Sequence, residues 1–87
     1  MTCRIDRLST EQGLVIYISG RIAAEDVEVV RTALDEHRVV AIDVAAVELV
    51  DGDAVKLLAQ IETEGIELQN CPAYIREWIT KERESNS

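Results

Sequence analysis

The residues best suited to chemistry are an acid-glycine-acid group, Asp51-Gly52-Asp53, set ahead of apolar residues at helical spacing, and Asp43 upstream of it. Three carboxylates gathered near one sheet end would suit a divalent cation or an aspartyl-phosphate centre, because both chemistries need converging oxygen ligands or a nucleophilic acid. The spacing is wrong for a calcium loop. Counted from Asp51, the third ligand falls on Val55 and the turn glycine on Lys56, although Glu62 takes the twelfth position. Val55, Leu57, Leu58 and Ile61 read instead as the core stripe of a helix. No metal ligand and no cofactor is expected.

The other reactive residue types are isolated. His37 closes a helical pattern, where a cation suits the negative end of the dipole, so a surface or capping role is expected. Cys3 and Cys71 lack the paired spacing of a zinc site and the density of a disulfide-stapled domain, and read as reduced thiols. Neither has a His at motif spacing to activate it as a nucleophile. The sequence holds no Gly-rich phosphate loop and no nucleophile elbow. Catalysis is therefore not expected. Tyr74 and Trp78 are expected in the core; exposed, they would mark a docking surface.

These residues must be positioned by a short run of alternating elements. Cys3 to Leu8 and Leu14 to Ser19 read as strands around the polar loop Thr10-Glu11-Gln12-Gly13, with Gly20 ending the second. That second strand is apolar on both faces, as when helices cover both sides of a sheet. Val27, Val30 and Leu34 recur at helical steps within Ala23 to Glu36, with Glu25 and Asp26 suited to the first turn. Val39 to Val44 is a β-branched run that reads as a central strand buried on both faces, with Asp43 near its carboxyl end. Val47 to Asp53 reads as a connection, and an Asp there caps the next helix. That helix stops at Gly65, Ile66 to Leu68 forms a short strand, and Pro72 opens a last helix that frays from Lys81. The order is β-β-α-β-α-β-α: an α/β fold with a small mixed sheet of about four strands and three helices.

Composition sets the outer limits. The chain has 87 residues, with 9 Lys+Arg against 17 Asp+Glu, a formal charge of −8. This length makes one domain, residues 1–84 with a frayed 85–87 tail, and a core too modest for deep catalytic machinery or a small-molecule pocket. The acidic balance disfavours nucleic acid and anionic membrane as partners, since affinity for phosphate backbones comes from basic groups. No apolar run approaches the roughly 20 residues a spanning helix needs, and the first residues lead into no signal-peptide core, so a cytoplasmic protein without membrane insertion is expected.

Gly20-Arg21-Ile22, Val39 to Val44 with Asp43, the loop Leu49-Val50-Asp51-Gly52-Asp53-Ala54-Val55, and Gly65 followed by Ile66 to Asn70 and Pro72 together resemble the STAS domain. That family is named for sulphate transporters and anti-sigma factor antagonists. The resemblance spans about Leu14 to Ile79. It departs from the family in two places. In anti-sigma factor antagonists the loop reads Asp-Ser-Ser-Gly-Leu or similar, and a Ser or Thr there is phosphorylated by the partner kinase. Here Asp51 matches the Asp, Gly52 and Asp53 take the hydroxyl positions, and no hydroxyl remains. The family also continues with a further strand and helix, so this chain resembles a minimal version.

The resemblance implies a bacterial protein-interaction module in signalling and transcription regulation, docking on an anti-sigma factor of the kinase-like ATPase type. The implied contact residues are Arg21, Asp43, Asp51, Gly52, Asp53, Ala54, Val55, Lys56 and Gln60. Asp53, at the substituted phospho-site, either mimics a phosphorylated residue in part, with one charge and two oxygens, or only caps the helix. Asp43 is expected to be held by backbone N–H groups of the Asp51–Val55 loop. An alternative implied by the same family is a cytoplasmic subunit bracing the ATPase of an ABC-type lipid transporter. Either reading leaves room for a homodimer.

Overall fold

The computed structural model describes residues 3–36 and 38–85. The helix-end role expected of His37 and the last two residues of the frayed tail lie outside the described residues. The observed order is β1 (Cys3–Thr10), β2 (Gly13–Ile22), a single 3-10 turn (Ala24–Asp26) leading into α1 (Val27–Glu36), β3 (Val39–Val50), α2 (Gly52–Thr63), β4 (Glu67–Gln69) and α3 (Ala73–Ser85). The expected α/β architecture is present: one mixed four-stranded sheet in the order β1-β2-β3-β4, with three helices. β1 and β2 are antiparallel, and the two crossovers make β2-β3 and β3-β4 parallel.

Local chemistry explains the turns. In the β1-β2 hairpin the Thr10 hydroxyl donates to the Gly13 carbonyl at 2.7 Å. Gly13 has φ +141°, and a Cβ there would lie 2.6 Å from the Val40 Cγ1 and 3.1 Å from the Arg38 carbonyl, so only glycine lets the hairpin lie against the start of β3. At the end of α2, Gly65 (φ +95°) donates to the Glu62 carbonyl at 3.1 Å and Ile66 donates to Ile61 at 3.2 Å. This nested pair satisfies two orphan carbonyls and stops the helix where the glycine predicts. Pro72 precedes α3, and its carbonyl accepts from Ile75 and Arg76.

All three helices share one core with one face of the sheet, which corrects the expectation of helices on both sides. Ile16 and Ile18 of β2, Ile42 and Val44 of β3 and Leu68 of β4 join Val30, Leu58, Ile61, Ile75 and Ile79 in a single buried cluster. The alternate residues form the other face, where Leu8, Val15, Ala41 and Glu67 make one row and Asp6, Tyr17, Asp43 and Gln69 the next. Val15 and Ala41 are buried there yet lie outside the helix-side cluster. Small side chains flanked by longer neighbours lose their exposure without a covering layer, so an apolar run reads the same as a two-sided strand.

Three further boundaries differ from expectation. β2 passes through Gly20 to Ile22, and β3 continues through Ala45 to Val50, pairing with Ser19 to Ile22 across two register irregularities. Along this stretch Val44, Val47 and Val50 are buried at three-residue intervals, because each irregularity resets the alternation. α3 continues through Lys81 to Ser85, past the expected fraying point. Its second half is tied to α2: Arg83 Nη1 lies 3.7 Å from the Glu62 carboxylate, and Ile79 is fully buried one turn before.

Candidate functional site

The ends of β2 and β3 meet the starts of α1 and α2 at Asp51. This residue is extended (φ −101°, ψ −178°) and caps α2, its Oδ1 accepting from the Ala54 N–H at 3.0 Å. Its Oδ2 accepts from the Ala24 N–H at 2.6 Å, and its own N–H donates to the Ile22 carbonyl at 3.2 Å. One carboxylate thus fastens both helix entries to the sheet end. Beside it, Asp26 is buried at 5% exposure, and its carboxylate accepts from the Ala23 N–H at 3.0 Å. These bonds fix the two helix entries relative to each other.

With Asp51 as the cap, Asp53 is left on the exposed side of the first turn of α2. Gly52, Asp53, Lys56 and Gln60 are all exposed; Gly52, Lys56 and Gln60 recur at four-residue steps and Asp53 precedes Lys56 by three, so they share one side of the helix as a stripe. The stripe borders a groove of about 410 Å³ between α1 and α2, where Val27 and Leu57 present apolar surface among Arg31, Asp53, Lys56 and Gln60. Arg31 is held by the Glu64 carboxylate at 3.1 and 3.2 Å, which ties α1 to the end of α2. The groove combines apolar surface with charges of both signs, of which Arg31 is held by Glu64.

Not every implied contact residue joins this surface. Ala54 and Val55 are fully buried and serve the core, because helical spacing turns them away from Asp53 and Lys56. Arg21 is exposed at the end of β2, opposite Leu49 of β3. Asp43 is not part of the site. It lies mid-strand on the uncovered sheet face, paired with Tyr17 and Gln69, and the extended stretch of β3 beyond it places it on the order of 20 Å from Asp51. Its carboxylate accepts from the Ala45 N–H at 2.9 Å and from the Asn70 side-chain amide at 2.8 Å, not from the Asp51–Val55 loop. Asn70 reaches it from a left-handed backbone, φ 55°.

The expected core pair Tyr74 and Trp78 is exposed instead, at 47% and 39%. They flank Ile75 and Ile79, which alone of that stripe are buried. The Tyr74 hydroxyl donates to the Glu48 carbonyl at 2.6 Å, so this ring fastens the start of α3 to the part of β3 beyond the end of β4. Of the groove residues on α1, the sequence marks Val27 only as part of the apolar stripe with Val30 and Leu34, and does not single out Arg31, whose helical spacing from Leu34 was the available signal.

Both cysteines are free thiols, Cys3 buried and Cys71 half-buried. Cys3 is buried, and burial pushes its thiol up, with the Asp26 carboxylate adding to the effect. Burial also raises the Cys71 thiol; Arg76 opposes the shift and Glu62 reinforces it. Arg76 donates to both oxygens of Glu62 at 2.7 and 2.9 Å, and this bond raises its already high pKa. Among the described residues no three His, Cys, Asp or Glu side chains come together as a metal group, and no helix is long and apolar enough to cross a membrane. Comparison of the chain with protein-family models and with curated proteins finds no match.

Proposed function

We propose that this chain is a protein-interaction module that binds its partner through the exposed stripe Gly52, Asp53, Lys56 and Gln60 and the adjoining α1-α2 groove. The observation that carries the reading is the division of labour between two neighbouring acids. Asp51 is consumed in capping and fastening, while Asp53 stands exposed on a rigid first turn beside the groove. A loop held this firmly presents its charges without ordering cost, the condition for specific recognition by a modest surface.

The STAS resemblance gives the partner class: an anti-sigma factor of the kinase-like ATPase type. In that setting Asp53 stands where a switchable hydroxyl would be, at a helix start where the dipole favours an anion. The module is then held in one signalling state, without a phosphorylation cycle in this loop. Pull-down from the native cell with wild type and Asp53→Lys tests the reading. The reading requires the main partner of wild type to be lost from Asp53→Lys; an unchanged partner list would remove this surface from consideration.

A further inference from the structure

β1 forms one edge of the sheet, and its pairing with β2 runs without interruption from Cys3↔Gly20 to Thr10↔Gly13. Its other side meets no strand among the described residues. A straight eight-residue edge without proline, glycine or a bulge is a template for another strand. A second, independent feature adjoins it. On the helix side a groove of about 390 Å³ runs between β1 and α1, lined by Ile5, Arg7, Glu28, Val29, Thr32 and Ala33. Val29, on α1, is 47% exposed there, and Ile5 is only partly buried.

We propose that the occupant of this edge is a second copy of the chain, joined through antiparallel β1-β1 pairing about a two-fold axis at Ile5. Charge selects both the partner and the register. An axis perpendicular to the sheet keeps helix faces together, so paired positions must sum to an even number. Centring the axis on Arg4, Asp6 or Arg7 sets a charged residue against its own copy, which is unfavourable. Centring on Leu8 opposes Asp6 with Thr10 and Arg7 with Ser9, and no ion pair forms. Centring on Ile5 sets Arg4 opposite Asp6 of the second copy, twice. Arg4 and Asp6 already lie 3.2 Å apart within one chain on the uncovered sheet face, so the pairing closes a ring of four alternating charges. On the opposite face the two Ile5 side chains meet at the axis, alongside the apolar surface of Val29. The resulting eight-stranded sheet leaves the α2 stripe free on both copies.

Sedimentation velocity of the full chain over a wide concentration range tests the pairing. Wild type is expected to show a concentration-dependent dimer. Asp6→Arg, a substitution at an exposed position whose folding is checked by circular dichroism, introduces two like-charge oppositions and weakens dimerisation about tenfold or more. The charge-swapped double variant Arg4→Asp/Asp6→Arg restores the dimer. A wild type that stays monomeric at every concentration overturns the proposal. So does an Asp6→Arg variant that dimerises like wild type, or a swap that fails to rescue.

Discussion

Replacing Asp51 separates the fastening role of its two oxygens. Asp51→Ala removes the α2 cap, worth about 1 kcal/mol, and the bond from Ala24, which lies near solvent and contributes about another 1 kcal/mol. The expected cost is about 2 kcal/mol, against a total stability of about 4–13 kcal/mol for a chain of this length. That loss lowers Tm by about 10 °C. Asp51→Ser keeps an oxygen for Ala54 but has no second oxygen for Ala24, so its cost is about half as large. Urea unfolding followed by far-ultraviolet circular dichroism measures all three proteins without screening charges. Equal losses in the Ser and Ala variants would show that the cap to Ala54 contributes nothing, and a Ser variant as stable as wild type would show the same of the bridge to Ala24. A loss well under 1 kcal/mol in Asp51→Ala would refute the whole account of this corner.

Other perturbations read other parts of the structure. Gly13→Ala, which meets Val40 at 2.6 Å from a φ of +141°, is expected to cost about 2 kcal/mol more than Gly65→Ala, where the added Cβ meets nothing and only the left-handed backbone is strained; equal Tm values would contradict this. Asn70→Gly loses the amide bond to Asp43 but keeps the left-handed conformation, so Asn70→Ala should be less stable than Asn70→Gly by about 1 kcal/mol in the same urea assay. Burial raises both thiols, so the unfolded chain releases these protons at lower pH than the folded one. Their contribution to stability is complete below the ordinary thiol range, about 8.5, and declines as pH rises above it. Cys3→Val flattens part of that decline, and maleimide labelling of native protein at pH 8 is slow until urea is added. Glu62→Gln weakens the clasp from Arg76 and costs about 1 kcal/mol, read as a lower Tm with unchanged helical signal.

Much of this fold is legible in the chain because several residues have a single conformational use. Gly65 stops α2, Pro72 precedes α3, and an Asp ahead of an apolar helical stripe caps it, as Asp51 does. What escaped reading depends on pairing between distant segments. Ala45 and Ala46 have little preference for strands, and Val44, Val47 and Val50 are spaced more like a helix; pairing with Ser19 to Ile22 nevertheless holds them extended. That extension moved Asp43 away from Asp51, because the strand end assigned to Val44 lies six residues further on, at Val50. The one-sided helix layer was hidden because Val15 and Ala41 are apolar on the face that no helix covers. Tyr74 and Trp78 have helical spacing from the buried Ile75 and Ile79, and a stripe that broad does not say where the core ends.

A photo-crosslinking amino acid placed at Gln60, on the exposed stripe, tests the binding surface most directly, with the same group at Glu67 on the far sheet face as reference. Irradiated in the native cell, the Gln60 variant should give one dominant protein adduct that disappears when Asp53→Lys is added, and the Glu67 variant should not give it. The same adduct from Glu67, or an adduct at Gln60 indifferent to Asp53→Lys, would contradict the account.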